Sequence, residues 1–248
     1  MQQIRTADDI KQLGTILFVA AHPDDESFLA AGILAAAAHN GQQVVCVTAT
    51  KGEAGSQDLE KWPLQALGGV RERELRTALA ELGVHHHTFF AYTDGHCAEA
   101  SVSAAAHQLE AVIKRYRPDT ILTFGPDGLT GHPDHRAVSA WTDAAAPRLD
   151  YPLRVYHAVH THQSYDTVFK KLDAELNIFF NIDRPPLVDE AQCAIAFHLP
   201  PAIQAQKRRA LEAMPSQTEV MFTQCTAELV TKALEYEYFV DASSCGKP

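Results

Sequence analysis

Between Thr15 and Val159, short continuous apolar runs alternate with longer segments whose apolar residues recur at helical spacing. Runs that are apolar at every position suit strands covered on both faces, so this rhythm predicts βαβ units around a parallel sheet. Strands are expected over residues 15–20, 44–50, 88–92, 120–124 and 153–159. Helices are expected over 26–39, stopping at Asn40-Gly41, over 70–82, closed by Gly83, over 102–117 and over 138–146. After Tyr151 the pattern weakens, and two helices, over 202–213 and 226–234, stand out. The expected fold class is α/β: a Rossmann-like, open, mostly parallel sheet flanked by helices, with an active site at the carboxyl edge of the strands.

Length and composition narrow the classes. At 248 residues, without a Pro/Gly/Ser-rich or single-charge tract to mark a linker, residues 1–248 read as one domain with a well-buried core. Twenty-one basic against 31 acidic side chains give a formal charge of −10. That balance argues against a nucleic-acid partner, which needs a basic footprint. The first 14 residues carry no apolar stretch of signal-peptide length, and no apolar run is long enough to span a bilayer, so no membrane partner is expected. Cys46, Cys97, Cys193, Cys225 and Cys245 are odd in number, scattered and without a C-x-x-C pair. They suggest neither disulfides nor a thiolate metal site, and a cytoplasmic setting fits them.

Two loops share a chemistry. His22-Pro23-Asp24-Asp25 follows the first expected strand, and His132-Pro133-Asp134-His135 follows the fourth. In an open parallel sheet both lie at the carboxyl edge and can meet in one crevice. A proline disfavours the helical region for the residue before it, which holds His22 and His132 extended while the chain beyond enters a helix. Side chains at the first and fourth positions of each loop can then converge. A catalytic zinc takes imidazole nitrogen and carboxylate oxygen from three protein ligands and keeps one position open. His, Asp and His from two loops meet that count, whereas the plainer reading has Asp24 or Asp25 merely capping a helix. Capping does not call for a histidine at the head of both loops.

These motifs, with Gly52-Glu53 after the second strand, Arg71-Glu72-Arg73-Glu74-Leu75 in a helix and Asp94-Gly95 after the third strand, resemble the PIG-L/LmbE family of zinc-dependent N-acetylglucosaminyl deacetylases, which includes mycothiol- and bacillithiol-pathway enzymes. The likeness runs from about Ile16 to Trp141 and is loose after Tyr151. The resemblance implies one zinc per chain held by His22, Asp25 and His135. It implies Asp24 as the general base on the zinc-bound water, His132 as the stabiliser of the tetrahedral intermediate and Asp134 as a residue orienting a histidine or a neighbouring loop. Glu53, Arg71 and Asp94 match positions that bind glucosamine hydroxyls, so the implied partner is a small-molecule amino-sugar conjugate losing its acetyl group. Relatives often form symmetric homo-oligomers. Two departures are visible: Thr130 stands where some members have a tyrosine, and Met214 precedes Pro215-Ser216-Gln217 where many have a histidine.

Alternatives have separate signatures. A Rossmann-type nucleotide-binding module needs backbone amides where this chain has H-P-D-D-E. A zinc- or sugar-binding relative without turnover would keep the ligands, but Asp24 and His132 are both present. A two-metal phosphoesterase needs bridging carboxylates that no motif supplies. Away from the motifs, His85-His86-His87 is expected to form a polar turn, His160 and His162 to share a half-exposed strand face with His157 nearby, and Cys97 to be an inert thiol.

Overall fold

Continuous apolar runs become strands buried at every position. In a computed structural model, which describes residues 3–244, β1 (Ile16–Ala20), β2 (Val44–Thr48) and β4 (Thr120–Phe124) have no exposed residue, and β3 (His86–Phe89) and β5 (Arg154–Ala158) flank them. β1 pairs in parallel with β2 (Ile16 opposite Val44) and with β4 (Ile16 opposite Thr120), and β2–β3 and β4–β5 are also parallel. The strand order reverses direction at β1/β4, the position where open α/β sheets bind ligands. Helices α1 (Asp25–Leu29), α2 (Ala31–His39), α3 (Leu64–Glu81), α4 (Val102–Tyr116) and α5 (Pro133–Ala145) connect these strands.

The last third completes the sheet. β6 (His160–Thr161) pairs with β7 (Leu187–Val188) in a separate small sheet, and between them lie α6 (His162–Ser164), a π-helical turn at Tyr165–Phe169 and α7 (Lys170–Leu176). β8 (Ile195–His198), α8 (Pro201–Glu212), α9 (Pro215–Gln224), α10 (Ala227–Ala233) and β9 (Tyr236–Asp241) follow. β9 joins antiparallel to β5 and β8 antiparallel to β9, giving the seven-stranded order β3-β2-β1-β4-β5-β9-β8. Among the described residues no helix is long and apolar enough to cross a membrane.

The helix expected over 26–39 is broken at Ala30 (φ −137, ψ 3). In an unbroken helix the Gly32 amide would bond the Phe28 carbonyl four residues back. Instead Glu237 of β9 accepts from the amides of Gly32 (2.7 Å) and Ile33 (2.9 Å), while Lys207 of α8 donates to Phe28 O (2.8 Å) and to Glu237 (2.8 Å). A buried ion pair thus takes over the hydrogen bonds freed by the break. Leu199 packs where a Cβ on residue 32 would sit, 2.6 Å away, so the break also needs glycine there.

Other boundaries move for local reasons. The third strand starts at His86, two residues ahead of the expected 88, so the polar turn expected at His85–His87 is corrected. His87 Nε2 pairs with Thr48 Oγ1 (3.0 Å) across the sheet, and burial pushes its pKa down to about 4. The strand expected over 153–159 ends at Ala158, and a separate pairing with β7 restarts it at His160. The half-exposed face expected for His160 is therefore overturned: it is 7% exposed and packs on Phe169 and Phe179, with ring centroids 4.2 and 5.4 Å away, while His162 is exposed. Cys46, Cys97, Cys193 and Cys225 are buried free thiols, and Cys245 lies outside the described residues.

Candidate active site

Each His-Pro-Asp turn leaves the carboxyl end of a strand beside the switch point. His132 is extended (φ −61, ψ 130), as a following proline requires, and caps α5, which Pro133 opens five residues ahead of the expected 138. At the first turn Asp24 is held at φ 122, ψ −29, a strained region for a residue with a Cβ. Its amide donates to Glu26 Oε2 (3.2 Å), and its carbonyl accepts from the amides of Ser27 and Phe28, both at 2.9 Å, so the first turn of α1 fixes that conformation.

The turns bring His22, Asp25 and His135 together. Asp25 Oδ2 accepts from the amides of Ala21 (2.9 Å) and His22 (2.7 Å), leaving Oδ1 3.4 Å from His135 Nε2. His135 Nε2 is also 3.3 Å from His22 Nδ1. The other ring nitrogens settle the tautomers. His135 Nδ1 bonds the Gly128 carbonyl (3.0 Å) and must carry the proton, and His22 Nε2 faces Asp94 Oδ1 and Asp134 Oδ2, each at 3.1 Å, and carries its own. Two imidazole lone pairs and a carboxylate oxygen therefore point at one another, an arrangement that needs a positive charge among them. Burial lowers the His22 imidazolium, but the hydrogen bonds to Asp134 and Asp94, with the charges of Asp25 and Asp94, raise it to about 10. Burial leads the opposite shift of His135, down to about 4.

The donor set fits a divalent metal. Ligands about 2.0–2.1 Å from a tetrahedral zinc stand roughly 3.3 Å apart, as His22–His135 and His135–Asp25 do here, while His22 Nδ1 lies 4.0 Å from Asp25 Oδ2. Nitrogens of His22, His132 and His135 also lie within 4.8 Å of one another, which offers His132 in place of Asp25. Asp25 Oδ1 lies 3.4 Å from His135 Nε2, whereas His132 Nδ1 already accepts from the Asp134 amide (3.2 Å). That bond leaves the His132 proton on Nε2, so the ring presents a donor and not a lone pair. A further grouping of His22, Asp94 and Asp134 is accounted for by the hydrogen bonds to His22 Nε2.

Asp24 stands beside this cluster with a different environment. Burial pushes its carboxyl up to about 7 against the pull of the Arg71 guanidinium, and the Asp25 charge adds to the rise. Arg71 Nη2 reaches Asp24 Oδ2 (3.2 Å) and Pro23 O (2.6 Å), and Nη1 reaches Gly52 O (2.8 Å). Arg71 is 3% exposed, and its Nε has no partner among the described residues. Gly52 (φ 65) makes this approach possible, since a Cβ there would fall 2.3 Å from the guanidinium carbon.

Glu53 and Asp94 are tied into the same frame. Glu53 accepts from the amides of Asp94 (3.0 Å) and Lys51 (3.2 Å), and Asp94 Oδ2 accepts from the Ala54 amide (2.9 Å). Asp134, fully buried, joins His22 to the amides of Gly95 (2.7 Å) and Cys97 (3.0 Å). Burial, with Asp134 nearby, raises the Cys97 thiol, which keeps it protonated. Sequence reasoning passed over Glu26, which is 1% exposed and holds the Asp24 amide. Burial pushes its carboxyl up to about 7. An acid in the first turn of a helix reads as an ordinary dipole partner, so only its position after H-P-D-D could have marked it.

A cavity of about 690 Å³ opens beside Asp24, Asp25 and His135. Thr130 lies in its wall, whereas Met214 is buried at the start of α9. Glu53, Arg71 and Asp94 are not part of the lining, and most of it comes from segments after residue 159, where the sequence pattern weakens.

Fold and cluster together define an α/β protein with a His/Asp metal-type site at a sheet switch point. The profile of the PIG-L family, described as GlcNAc-PI de-N-acetylase, matches residues 17–146. This chain belongs to the PIG-L family. It is 32% identical over 230 residues to the 1D-myo-inositol 2-acetamido-2-deoxy-alpha-D-glucopyranoside deacetylase of Actinosynnema mirum, covering 83% of this chain and 81% of that one. Two further relatives of that name are matched over 57% and 64% of their lengths. Among solved structures, the N,N'-diacetylchitobiose deacetylase of Pyrococcus horikoshii superposes with a TM-score of 0.66 at 19% identity, covering 94% of this chain and 85% of that one. A 4-carboxy-2-hydroxymuconate hydratase of Pseudomonas putida shares the fold as well, with a TM-score of 0.59, 18% identity and coverage of 88% and 83%. The fold alone therefore does not choose the reaction.

Proposed function

We propose that this chain, acting as one domain, is a zinc-dependent amide hydrolase that removes the acetyl group from an N-acetylglucosamine-type conjugate. The observation that carries the reading is the convergence of His22 Nδ1 and Asp25 Oδ1 on His135 Nε2, at 3.3 and 3.4 Å, next to a carboxyl group whose pKa lies near neutrality. The deacetylase relative at 32% identity supports the substrate class.

His22, Asp25 and His135 would hold the metal, one ion per chain. Bound there, zinc lowers the pKa of water to about 7 and polarises a carbonyl. Asp24, held by Arg71, takes a proton from the attacking water as its oxygen bonds to the amide carbon. The His132 Nε2–H donates to the oxygen of the tetrahedral intermediate, a job for which the Asp134 amide has preset the ring. Asp24 then passes the proton to the leaving nitrogen as the C–N bond breaks, giving acetate and the free amine. Asp94 and Asp134 keep His22 in the tautomer that leaves Nδ1 free. Recognition of sugar hydroxyls by Glu53, Arg71 and Asp94 is part of the same proposal, and the internal bonds of Arg71 add a positioning role.

Amine release from a panel of N-acetylglucosamine conjugates tests this reading. Turnover that survives in Asp24→Ala with metal retained would remove Asp24 from the mechanism, and no amine from any conjugate would overturn the hydrolase assignment.

A further inference from the structure

The cavity beside the cluster is far larger than an acetyl group requires. A methyl-sized group needs roughly one water's share of volume, about 30 Å³, against about 690 Å³ here. Its wall is mainly apolar: Phe28 and Leu29 of the first helical turns, Leu176 and Ile178 at the end of α7, Val220 of α9 and Leu234 after α10. Phe180, also in the wall, is 68% exposed, a large aromatic that folding has not covered. Among the described residues no lysine or arginine lines the cavity, and the only carboxylates there are Asp24 and Asp25 at the metal-type cluster. Gln57, Thr130, Asn177, Gln217 and Gln224 supply the neutral polar part of the wall, and a phosphate would find no cationic side chain among the described residues that line it.

The segment supplying most of this wall indicates which part of a substrate it meets. Leu176, Ile178, Phe180, Val220 and Leu234 all lie outside residues 17–146, the stretch that the family profile matches. The deacetylases from Actinosynnema mirum and Pyrococcus horikoshii share removal of an acetyl group and differ in what else the sugar carries. A wall built outside the profile's stretch is suited to meet the part of the substrate that differs. We infer that the cavity holds an apolar aglycone, an alkyl or aryl group on the N-acetylglucosamine-type sugar, so that the preferred substrate is an apolar glycoside and not an inositol-like polyol conjugate. This rests on the hydrolase reading for its chemistry, while the cavity's preference can be measured without turnover.

The experiment has a turnover arm and a binding arm. Zinc-loaded protein is assayed on methyl and octyl N-acetylglucosaminide, on the inositol conjugate and on N-octanoylglucosamine. The expected result is a kcat/KM at least tenfold higher for the octyl than for the methyl glycoside, mainly through KM, with the inositol conjugate no better than methyl. Equal rates for octyl and methyl, a preference for inositol, or faster hydrolysis of N-octanoylglucosamine, which would give the cavity to the acyl group, each overturn the inference. In the binding arm, calorimetry compares octyl with methyl glucosaminide, which contain no amide. The octyl compound should bind at least tenfold tighter, and Leu176→Asp and Val220→Asp, on different helices and checked for unchanged melting, should each remove that gain. Tail-dependent binding without any turnover leaves the cavity assignment standing and sinks the hydrolase reading. Tail-independent binding sinks the cavity assignment whatever the turnover.

Discussion

Two groups of buried ionisable side chains lie at the two ends of α1, and they differ in how far their polar atoms are satisfied. At its C-terminal end, Lys207 and Glu237 are closed: both Glu237 oxygens accept backbone amides, and Lys207 donates to a carbonyl and to Glu237. At its N-terminal end, His22 Nδ1, His135 Nε2 and Asp25 Oδ1 confront one another, Asp24 is strained and partly protonated near neutrality, and Arg71 Nε lacks a partner among the described residues. The closed pair repairs a broken helix. The open cluster keeps unmet demand for a cation and a proton carrier. Burial of charge alone does not mark a working site; unmet valence within the burial does.

The sharpest way to break that contrast is to remove one charge from each group. Asp24→Asn should lower turnover about a thousandfold while leaving the melting temperature unchanged or raised, since burial disfavours the Asp24 charge by more than Arg71 favours it. Lys207→Met should do the reverse, costing about 3–5 kcal/mol of stability by stranding the Glu237 carboxylate and the Phe28 carbonyl, with kcat little altered in the protein that stays folded. If Asp24→Asn destabilises as much as Lys207→Met in chemical denaturation, the two groups are not different in kind. A finer probe is Arg71→Met, which should reduce kcat about tenfold at a nearly constant KM if the guanidinium chiefly positions Asp24. A rise in KM alone would make Arg71 a sugar contact only.

The smallest expected effect concerns His160, buried in the cavity wall with a pKa pushed down to about 4 from the ordinary 6.5. In that window the unfolded chain binds more protons than the folded one, so stability falls as the pH drops from about 6.5 towards 4. His160→Phe should remove about 2 kcal/mol of that acid sensitivity. Parallel pH-stability curves for the two proteins would contradict it.

What could be read from the sequence followed from where each signal sits. β1, β2 and β4 are apolar at every position, and H-P-D-D and H-P-D-H are contiguous motifs whose prolines dictate the local backbone, so the sheet centre and the cluster were both visible. Glu237 and Lys207 lie thirty residues apart, one in a strand and one in a helix. A buried acid interrupts the apolar pattern of β9, which hid that strand. Arg71 reads as a surface helix charge, and only the fold shows it passing Gly52 to reach Asp24. The cavity wall escaped for a similar reason: its residues in α7 and α9 come from short helices in the part of the chain where the pattern weakens.

In the proposed reading, His22, Asp25 and His135 grip one metal ion. Elemental analysis of protein purified without chelator, alongside His135→Ala, tests it most directly. The expected result is about one zinc per chain in the unaltered protein, loss of that zinc in the variant, and loss of turnover on chelation that added zinc restores. A protein carrying no metal that still releases amine at full rate, or a His135→Ala variant that keeps its zinc, would contradict it.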